Sequence, residues 1–391
     1  MTSPVRIIHA AQCRLDVPAR GFKDVSALSG PARVALEDAS LDAFDRLIER
    51  TRELDADALL LVGNTLRAAD KSLRARRRLE QGLERLADAD IAAVVVPGPM
   101  DPAGTYASLH LPDSAVVLSS RRPSTTIKAG RREAEITLDE DARSDADFTV
   151  VVVPPGEEAV RPGKPRKFDP ARGSGVVYWA MGDGVTTSAD MSGGVAHDPG
   201  PLSPTGVRTT GVCGAALVEI ETDGDVRTRP VPCSPLVCET VEVSVVGVRS
   251  LESLAERMAD RLPDFRREAE LTVVNWDLTG SGPVLTELSP SRWADLIELV
   301  DDEAGRERVH VYDVVADEGE ADEIAAMLID EYTDRISAGD LDPRDEYEDV
   351  DSPALEKVLA SAAASPRMAE RTRRLGAAVF AESCGTLWDA A

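Results

Sequence analysis

The sequence predicts an α/β fold in its first hundred residues, and two observations indicate it. Short, continuously apolar segments alternate with segments whose apolar residues recur at helical spacing. Each apolar segment stops abruptly at glycine or a polar residue, which is typical of strands covered on both faces. Strands and helices in this order require parallel pairing through right-handed crossovers. The segments are 5–12, 31–54, 58–62, 72–87 and 91–96.

The two helices are predicted from their apolar faces. Ser29 is a candidate N-cap of the first helix, and Pro31 would lie in its first turn. In both helices the apolar residues recur every three or four positions, so that they would share one face. They are Val34, Leu41, Phe44, Leu47 and Ile48 in the first helix, and Leu73, Leu79, Leu83 and Leu86 in the second.

Further strands are predicted downstream. A hairpin is indicated where Asp223-Gly224 joins two apolar segments. The acidic residues 139–147 and the Pro- and Gly-rich residues 157–174 read as surface loops. The predicted strands are 115–118, 127–138, 148–153, 176–182, 215–220 and 226–231.

The composition changes near residue 236, and so does the order of predicted strands and helices. A strand, a helix and a strand at 240–248, 251–265 and 271–278 predict a small α+β capping module. Acidic segments with helical periodicity follow at 321–336, 352–359 and 366–387. They would either bind a partner or pack on their own domain. The predicted divisions are therefore 1–236, 237–312 and 313–391.

The composition also limits the function. The chain of 391 residues carries 70 acidic and 44 basic residues, a net charge of −26, which disfavours electrostatic binding to nucleic acid. No apolar run is long enough to cross a bilayer, and residues 1–6 lack signal-peptide character. We therefore expect a cytoplasmic protein without a membrane partner. The five cysteines show no CxxC spacing, so we expect buried thiols.

Four strand ends carry the residues of interest. In parallel α/β sheets, sites form at the carboxyl ends of the strands. Here these ends are Gln12–Arg14, Gly63–Asn64, Gly98–Asp101 and Gly182–Val185. In order and spacing they resemble the calcineurin-like metallophosphoesterases, and more nearly the nuclease branch with bacterial SbcD and the YhaO-type proteins. Flanking segments share the resemblance: Ile7–Ala11, Leu15-Asp16 with Pro18, Ser72–Arg74, Tyr178–Gly182, Pro199–Pro201 and Gly211–Val218.

The resemblance covers residues 6–282 and implies a fold and a reaction. The implied fold is a two-sheet metallophosphoesterase sandwich flanked by helices, followed by the capping module and the helical C-terminal region. The implied reaction uses two metal ions, about 3.5–4 Å apart, to activate water and neutralise phosphate oxygens. Family ligands would read Asp-x-His, Gly-Asp, Gly-Asn-His-Asp, a strand-terminal His and Gly-His-x-His.

The ligand positions that the resemblance implies are almost all changed in this chain. Gln12 and Asn64 offer neutral oxygens without the charge that holds two cations, and Arg14 brings a positive charge to a metal position. The four histidines, His9, His110, His197 and His310, all lie elsewhere. The altered positions are Gln12, Arg14, Asn64, Pro99, Met100, Pro154, Asp183 and Val185, whereas Asp101 is kept.

Three functions remain open on these residues. The first is a catalytically degenerate SbcD-like protein with no cofactor, in which Arg14 pairs with Asp101 or Asp183. It would be a scaffold or regulatory partner of an SMC-like coiled-coil ATPase, bound through the C-terminal helices. The second is a surviving phosphodiesterase that holds one Mn²⁺ or Mg²⁺ through Asn64, Asp101 and Asp183.

The third function is DNA binding without chemistry, suggested by basic residues in an acidic chain. The resemblance also implies a possible homodimer. DNA is expected at most as an indirect partner. The basic residues are Arg74, Arg76, Arg77, Arg78, Arg121, Arg122, Arg131 and Arg132.

Overall fold

A computed structural model describes most of the chain up to residue 315. The described residues are 4–18, 30–139, 144–155, 175–191, 194–206, 209–262, 271–280, 282–288, 290–304 and 308–315. The chain divides into two compact units, Met1–Cys238 with Arg266–Thr272 and Glu239–Phe265 with Val273–Ala391. The predicted helices of residues 321–387 lie outside the described residues.

The first sheet of the first unit contains the predicted parallel core. Its strand order is β12-β11-β1-β2-β3-β4, and β1 to β4 are parallel neighbours. Strand β11 pairs antiparallel with β1, and the hairpin that it forms with β12 closes that edge. The strands are β1 (Val5–Ala11), β2 (Ala58–Val62), β3 (Ala92–Val96), β4 (Ala115–Val117), β11 (Gly214–Ile220) and β12 (Val226–Pro232).

The second sheet has the order β5-β6-β7-β8-β10-β9. Strands β6, β7, β8 and β10 run parallel, and antiparallel strands lie at both edges. The strands are β5 (Ser124–Ala129), β6 (Arg132–Thr137), β7 (Phe148–Val153), β8 (Val176–Met181), β9 (Thr187–Met191) and β10 (Gly194–Asp198). The prediction of an α/β fold with two sheets and flanking helices is therefore confirmed.

Alternating residues of the first sheet serve two separate cores. On β1, Ile8 and Ala10 join a core with helices α1 (Gly30–Glu53) and α2 (Leu73–Ala87). Val5 and Ile7 face the opposite core, which lies between the two sheets. Because both faces are buried, the strands read in the sequence as continuous apolar runs.

The start of helix α2 and its packing against α1 both follow from identifiable residues. Ser72 is its N-cap, and its side-chain oxygen accepts from the N–H of Ala75. Gly82 lies where a Cβ atom would come within 2.6 Å of the Phe44 ring of α1. The two helices therefore pack closely at a position that has no room for a side chain.

The second unit has its own apolar core. A three-stranded sheet has the order β13-β14-β15, and Trp276 is fully buried in the core beside Leu254 and Leu296. The elements are β13 (Leu236–Ser244), α3 (Leu251–Ala259), β14 (Leu271–Thr279), α4 (Val284–Glu287), α5 (Pro290–Ala304) and β15 (Arg308–Val315). Strand β13 spans Leu236–Ser244, so the boundary between the two units, at Cys238 and Glu239, falls within this strand.

Some predicted limits are wrong. The strand expected at 240–248 is β13 and ends at Ser244, because residues 245–248 form a turn in which Gly247 has a φ of 77°. The single segment expected at 127–138 is two strands, β5 and β6, around Gly130 with a φ of 63°. Strands β9 and β10 were not predicted.

Two of the remaining expectations concern buried thiols and membranes. Cys13, Cys213 and Cys233 are buried free thiols, and Cys238 is also buried. Among the described helices, none combines the length and the apolar character that a bilayer crossing requires.

A buried histidine links the two sheets. His9 of β1 is fully buried, and its Nδ1 lies 2.8 Å from the hydroxyl of Tyr178 on β8. Burial, and secondarily the nearby His197, lower the pKa of His9 to about 3. The imidazole is therefore neutral in the folded protein at physiological pH.

The depressed pKa of His9 predicts acid sensitivity. The unfolded chain binds a proton here below its ordinary pKa of 6.5, whereas the folded chain does so only near 3. Stability should therefore fall as the pH falls between these values, by up to about 1.4 kcal/mol per pH unit from this group. Urea unfolding of wild type and His9→Gln across this range would measure the difference, with a shallower slope expected in the variant. Exposed His110 gives the control His110→Gln, and equal slopes for wild type and His9→Gln would contradict the assignment.

Candidate functional site

Loops at the carboxyl ends of β1 and β2 have an unusual backbone. Gln12, Arg14 and Asn64 have φ values of 49°, 46° and 46°, in the left-handed region that non-glycine residues other than Asn and Asp rarely adopt. Main-chain bonds hold this shape, since Arg14 N donates to the Asn64 carbonyl at 2.9 Å and Leu15 N to that of Thr65 at 3.0 Å. A strained backbone that its surroundings fix in this way is typical of a ligand-binding loop.

Asp101 lies at the centre of these loops and is fully buried. Its carboxylate accepts five hydrogen bonds, four of them from backbone N–H groups and one, of 2.5 Å, from the Tyr106 hydroxyl. Burial raises the pKa of Asp101, and the bonds from Tyr106 and the backbone act in the opposite direction. The four backbone donors are Gly98 at 2.7 Å, Asn64 at 3.0 Å, Thr65 at 2.6 Å and Leu66 at 3.1 Å.

Gln12, Asn64 and Arg14 form one hydrogen-bonded network beside Asp101. The Oε1 atom of Gln12 accepts from Nδ2 of Asn64 and from Nε of Arg14, both at 3.0 Å. Its Nε2 atom donates to the Gly182 carbonyl at 2.7 Å. The Oδ1 atom of Asn64 accepts from the Met100 N–H at 2.9 Å. Gln12 thus joins the ends of strands from both sheets.

The loop after β8 closes the network from the second sheet. A Cβ atom on Gly184, where φ is 81°, would lie 2.7 Å from Cγ of Gln12. Asp198 of β10 holds this loop, because its carboxylate accepts from the Gly184 N–H at 3.0 Å. The side chains of Asp183 and Val185 are exposed, so neither belongs to the network.

Pro99 and Pro154 lie together in a neighbouring apolar cleft. The cleft has a volume of about 370 Å³ and is lined in part by Pro97, Pro155 and Leu118. Met100 takes part in the network only through its backbone, and its side chain is partly exposed. The structure therefore separates the predicted positions into the polar network, this cleft and the exposed loop after β8.

The expected ion pair of Arg14 with Asp101 or Asp183 does not form. The hydrogen bonds of Asp101 come from the backbone and Tyr106, and Arg14 donates to Gln12. Within the described part of the chain, no carboxylate forms an ion pair with Arg14. The expectation is wrong because the Asp101 carboxylate already accepts five hydrogen bonds and Arg14 donates to Gln12, while the side chain of Asp183 is exposed.

The residues at these strand ends do not fit two divalent cations. A hard cation requires oxygen lone pairs that point toward a common centre. The side-chain oxygens of Gln12, Asn64 and Asp101 instead accept bonds from N–H or O–H donors. The described residues contain no group of three His, Cys, Asp or Glu side chains arranged to hold a metal.

Most arginines of α2 are neutralised by α1. Arg74 forms a bidentate ion pair with Asp38, with N···O distances of 2.5 and 2.6 Å. Arg78 pairs with Asp45, and Arg85 pairs with Glu49. Elsewhere, Arg132 stacks over the Phe148 ring at 5.3 Å. Of the arginines that suggested DNA binding, Arg74 and Arg78 are therefore engaged in ion pairs with α1, which reduces the charge that this part of α2 offers to a phosphate backbone.

Sequence reasoning missed three groups that complete the site. They are the Tyr106 hydroxyl in the 3-10 helix Ala103–Ser108, the Asp198 carboxylate and the Gly182 carbonyl. Asp198 stands before Pro199-Gly200, a turn signal that was available in the sequence. Nothing in the sequence distinguishes Tyr106 from an ordinary core tyrosine.

Comparison with known proteins supports the metallophosphoesterase resemblance. No protein-family model matches the sequence. The chain is similar to the "Uncharacterized metallophosphoesterase YhaO" of Bacillus subtilis (strain 168), with 24% identity over 383 residues. The match covers 92% of this chain and 90% of that protein. The similarity therefore extends over most of both chains.

Asp101 is expected to act as a structural anchor of the loops. Asp101→Ala would leave five donors without their acceptor in a buried place, which should cost at least about 3 kcal/mol of unfolding free energy. Urea denaturation would measure this. Asp183→Ala removes the same charge from an exposed position and should change stability by less than about 0.5 kcal/mol. Similar effects of the two substitutions would refute the anchor.

Proposed function

We propose that this chain is a metallophosphoesterase of the SbcD and YhaO-type branch that has lost its metal centre and acts by binding. The supporting observation is the closed network of Gln12, Asn64 and Arg14 around Asp101. The loops that would carry metal ligands keep their strained shape, while their side chains bond to one another. A scaffold or regulatory role in DNA repair follows from the branch that the chain resembles.

Two features support lost hydrolysis over an altered one-metal reaction. In the alternative, Asn64, Asp101 and Asp183 would hold one Mn²⁺ or Mg²⁺ ion. The Asn64 Oδ1 atom already accepts from Met100, and both Asp101 oxygens accept from backbone N–H groups. Asp183, the third ligand of the alternative, has an exposed side chain outside the network.

We further propose an SMC-like coiled-coil ATPase as the partner, held by the predicted C-terminal helices. This part of the proposal rests on the resemblance and on the amphipathic pattern of residues 321–387. Their acidic character favours a partner with a basic docking surface. A homodimer of this chain is compatible with such an assembly.

The lost metal centre predicts that the purified chain neither binds Mn²⁺ at micromolar affinity nor hydrolyses phosphodiesters. Isothermal titration with MnCl₂ or MgCl₂ should give no saturable heat. Assays with bis(p-nitrophenyl) phosphate and with single- and double-stranded DNA should match the buffer blank, beside a metal-competent phosphoesterase as the positive control.

Metal-dependent turnover would overturn this proposal if it depended on the proposed ligands. Asp101→Asn and Asp183→Asn would identify the source of any activity. Turnover abolished by both variants would establish the one-metal alternative. Turnover that persists in both would indicate a contaminating enzyme and leave the loss of the metal centre intact.

The proposed partner predicts a specific co-purification. Tagged full-length chain, isolated from its own cells, should carry an SMC-like ATPase that mass spectrometry identifies. A chain ending at residue 316 should not, because it keeps β15 and lacks the proposed helices of residues 321–387. Circular dichroism of the shortened chain would verify that it is folded. Equal recovery of the ATPase with both chains would place the contact elsewhere.

A further inference from the structure

Arg14 carries a positive charge that no carboxylate of the described residues balances. Its side chain is half-buried, and its Nε atom donates to Gln12. Among the described residues, its two terminal nitrogens have no hydrogen-bond partner and its guanidinium has no ion pair. Burial and the nearby Arg67 both lower the pKa of Arg14, yet a guanidinium stays protonated in proteins. A half-buried cation beside a second cation is costly without an anion.

Two acidic residues of the neighbouring loops, Asp16 and Asp70, interact with Arg67. Asp70 pairs with the Arg67 guanidinium at 3.3 Å. Asp16 accepts from the Arg67 backbone N–H with both carboxylate oxygens at 2.8 Å. The Arg67 side chain is 27% exposed, so it remains accessible from solvent. Both acids thus interact with Arg67, and Arg14 is left without a counterion among the described residues.

Hydrogen bonds hold both the backbone and the side chain of Arg14 in place, as is typical of a ligand-binding residue. Its backbone has a φ of 46° and is held by the bond from its N–H to the Asn64 carbonyl. Its Nε atom is tied to Gln12, which is itself tied to Asn64 and Gly182. These contacts hold the Nε edge of the guanidinium, and the two terminal nitrogens, which are unbonded among the described residues, could bind a ligand. The carboxyl ends of parallel strands are also where α/β sheets bind ligands.

We propose that Arg14 forms a metal-independent site for a phosphate-type oxyanion, either free phosphate or the phosphate of a monoester. A planar guanidinium fork matches two phosphate oxygens, and Arg is favoured where this match is required. The proposal rests on the lost metal centre described above, because Arg14 supplies the charge that cations would otherwise bring. It adds a ligand class to that site.

Phosphate binding in the presence of EDTA tests the site. Isothermal titration of the full chain with inorganic phosphate should show saturable binding, and Arg14→Gln should weaken it about 10–100-fold, as expected for charge-assisted hydrogen bonds. Arg14→Lys keeps the charge but loses the fork, so its affinity should lie between those of wild type and Arg14→Gln. Arg77→Gln makes the same chemical change at an exposed position of α2 and should leave the affinity unchanged.

Two titrants distinguish the source of the phosphate. A 5′-phosphorylated dinucleotide that binds more tightly than its unphosphorylated form, with the same dependence on Arg14, would identify a monoester. Binding of inorganic phosphate alone would identify the free anion. Equal binding of both dinucleotides, insensitive to Arg14→Gln, would overturn a monoester site. Thermal unfolding of each variant would verify that it is folded.

The outcomes of these titrations distinguish the absence of the anion site from the presence of a working metal centre. Absence of phosphate binding in EDTA, with no hydrolysis in Mn²⁺, would overturn the anion site and leave the lost metal centre standing. Phosphate binding that requires Mn²⁺ would overturn the anion site and also count against the lost metal centre. Equal phosphate affinity in wild type, Arg14→Gln and Arg77→Gln would overturn the assignment to Arg14.

Discussion

The buried carboxylate of Asp101 determines the shape of the candidate site. It joins its own loop to the loop after β2 through four backbone N–H groups, and Tyr106 anchors it from the 3-10 helix. Each bond to a charged acceptor contributes about 1.5–3 kcal/mol when its donor is buried. The left-handed backbone at Asn64 persists because this acceptor collects the N–H groups that it exposes. The loop after β1 depends in turn on Asn64, since Arg14 donates to its carbonyl.

Under the proposed loss of the metal centre, this dependence would explain why Asp101 is kept while the other positions that the resemblance implies as ligands are changed. A carboxylate that only held a metal would be dispensable once the metal was lost. Asp101 has a separate role as an acceptor for buried backbone donors, and its removal would leave those donors unsatisfied. Gln12, Asn64 and Arg14 could change because their side chains can satisfy one another. The network thus keeps the loops in place without a cation.

Sequence reasoning located the strands well and the hydrogen bonds poorly. Leu59, Leu60 and Leu61 are fully buried between two cores, and their continuous apolar run indicated that directly. Strand β9 was missed because Thr187–Met191 is polar and mostly exposed at a sheet edge. The convergence of Gln12, Asn64 and Asp101 followed from the parallel order of β1, β2 and β3.

The choice of partner for each polar group could not be predicted from the sequence. Charge alone favoured a pair between Arg14 and Asp101. The backbone conformation decided otherwise, because the left-handed residues turn several N–H groups toward one carboxylate. That conformation depends on close approaches such as Gly98 against Asn64, where a Cβ atom would lie 2.7 Å from the Asn64 nitrogen. Such packing depends on residues distant in sequence.

A guanidinium in place of metal ions, as proposed above for Arg14, would change what such a site can do. Metal ions attract a phosphate and also supply an activated water, whereas a guanidinium provides only the attraction. The net charge of −26 repels anions at long range, so capture would depend on short-range bonds to the fork of Arg14. A nucleic acid strand brings many phosphates against this acidic surface, whereas a small oxyanion brings one. The same charge that opposes polyanions therefore favours a compact phosphate as the ligand of this site.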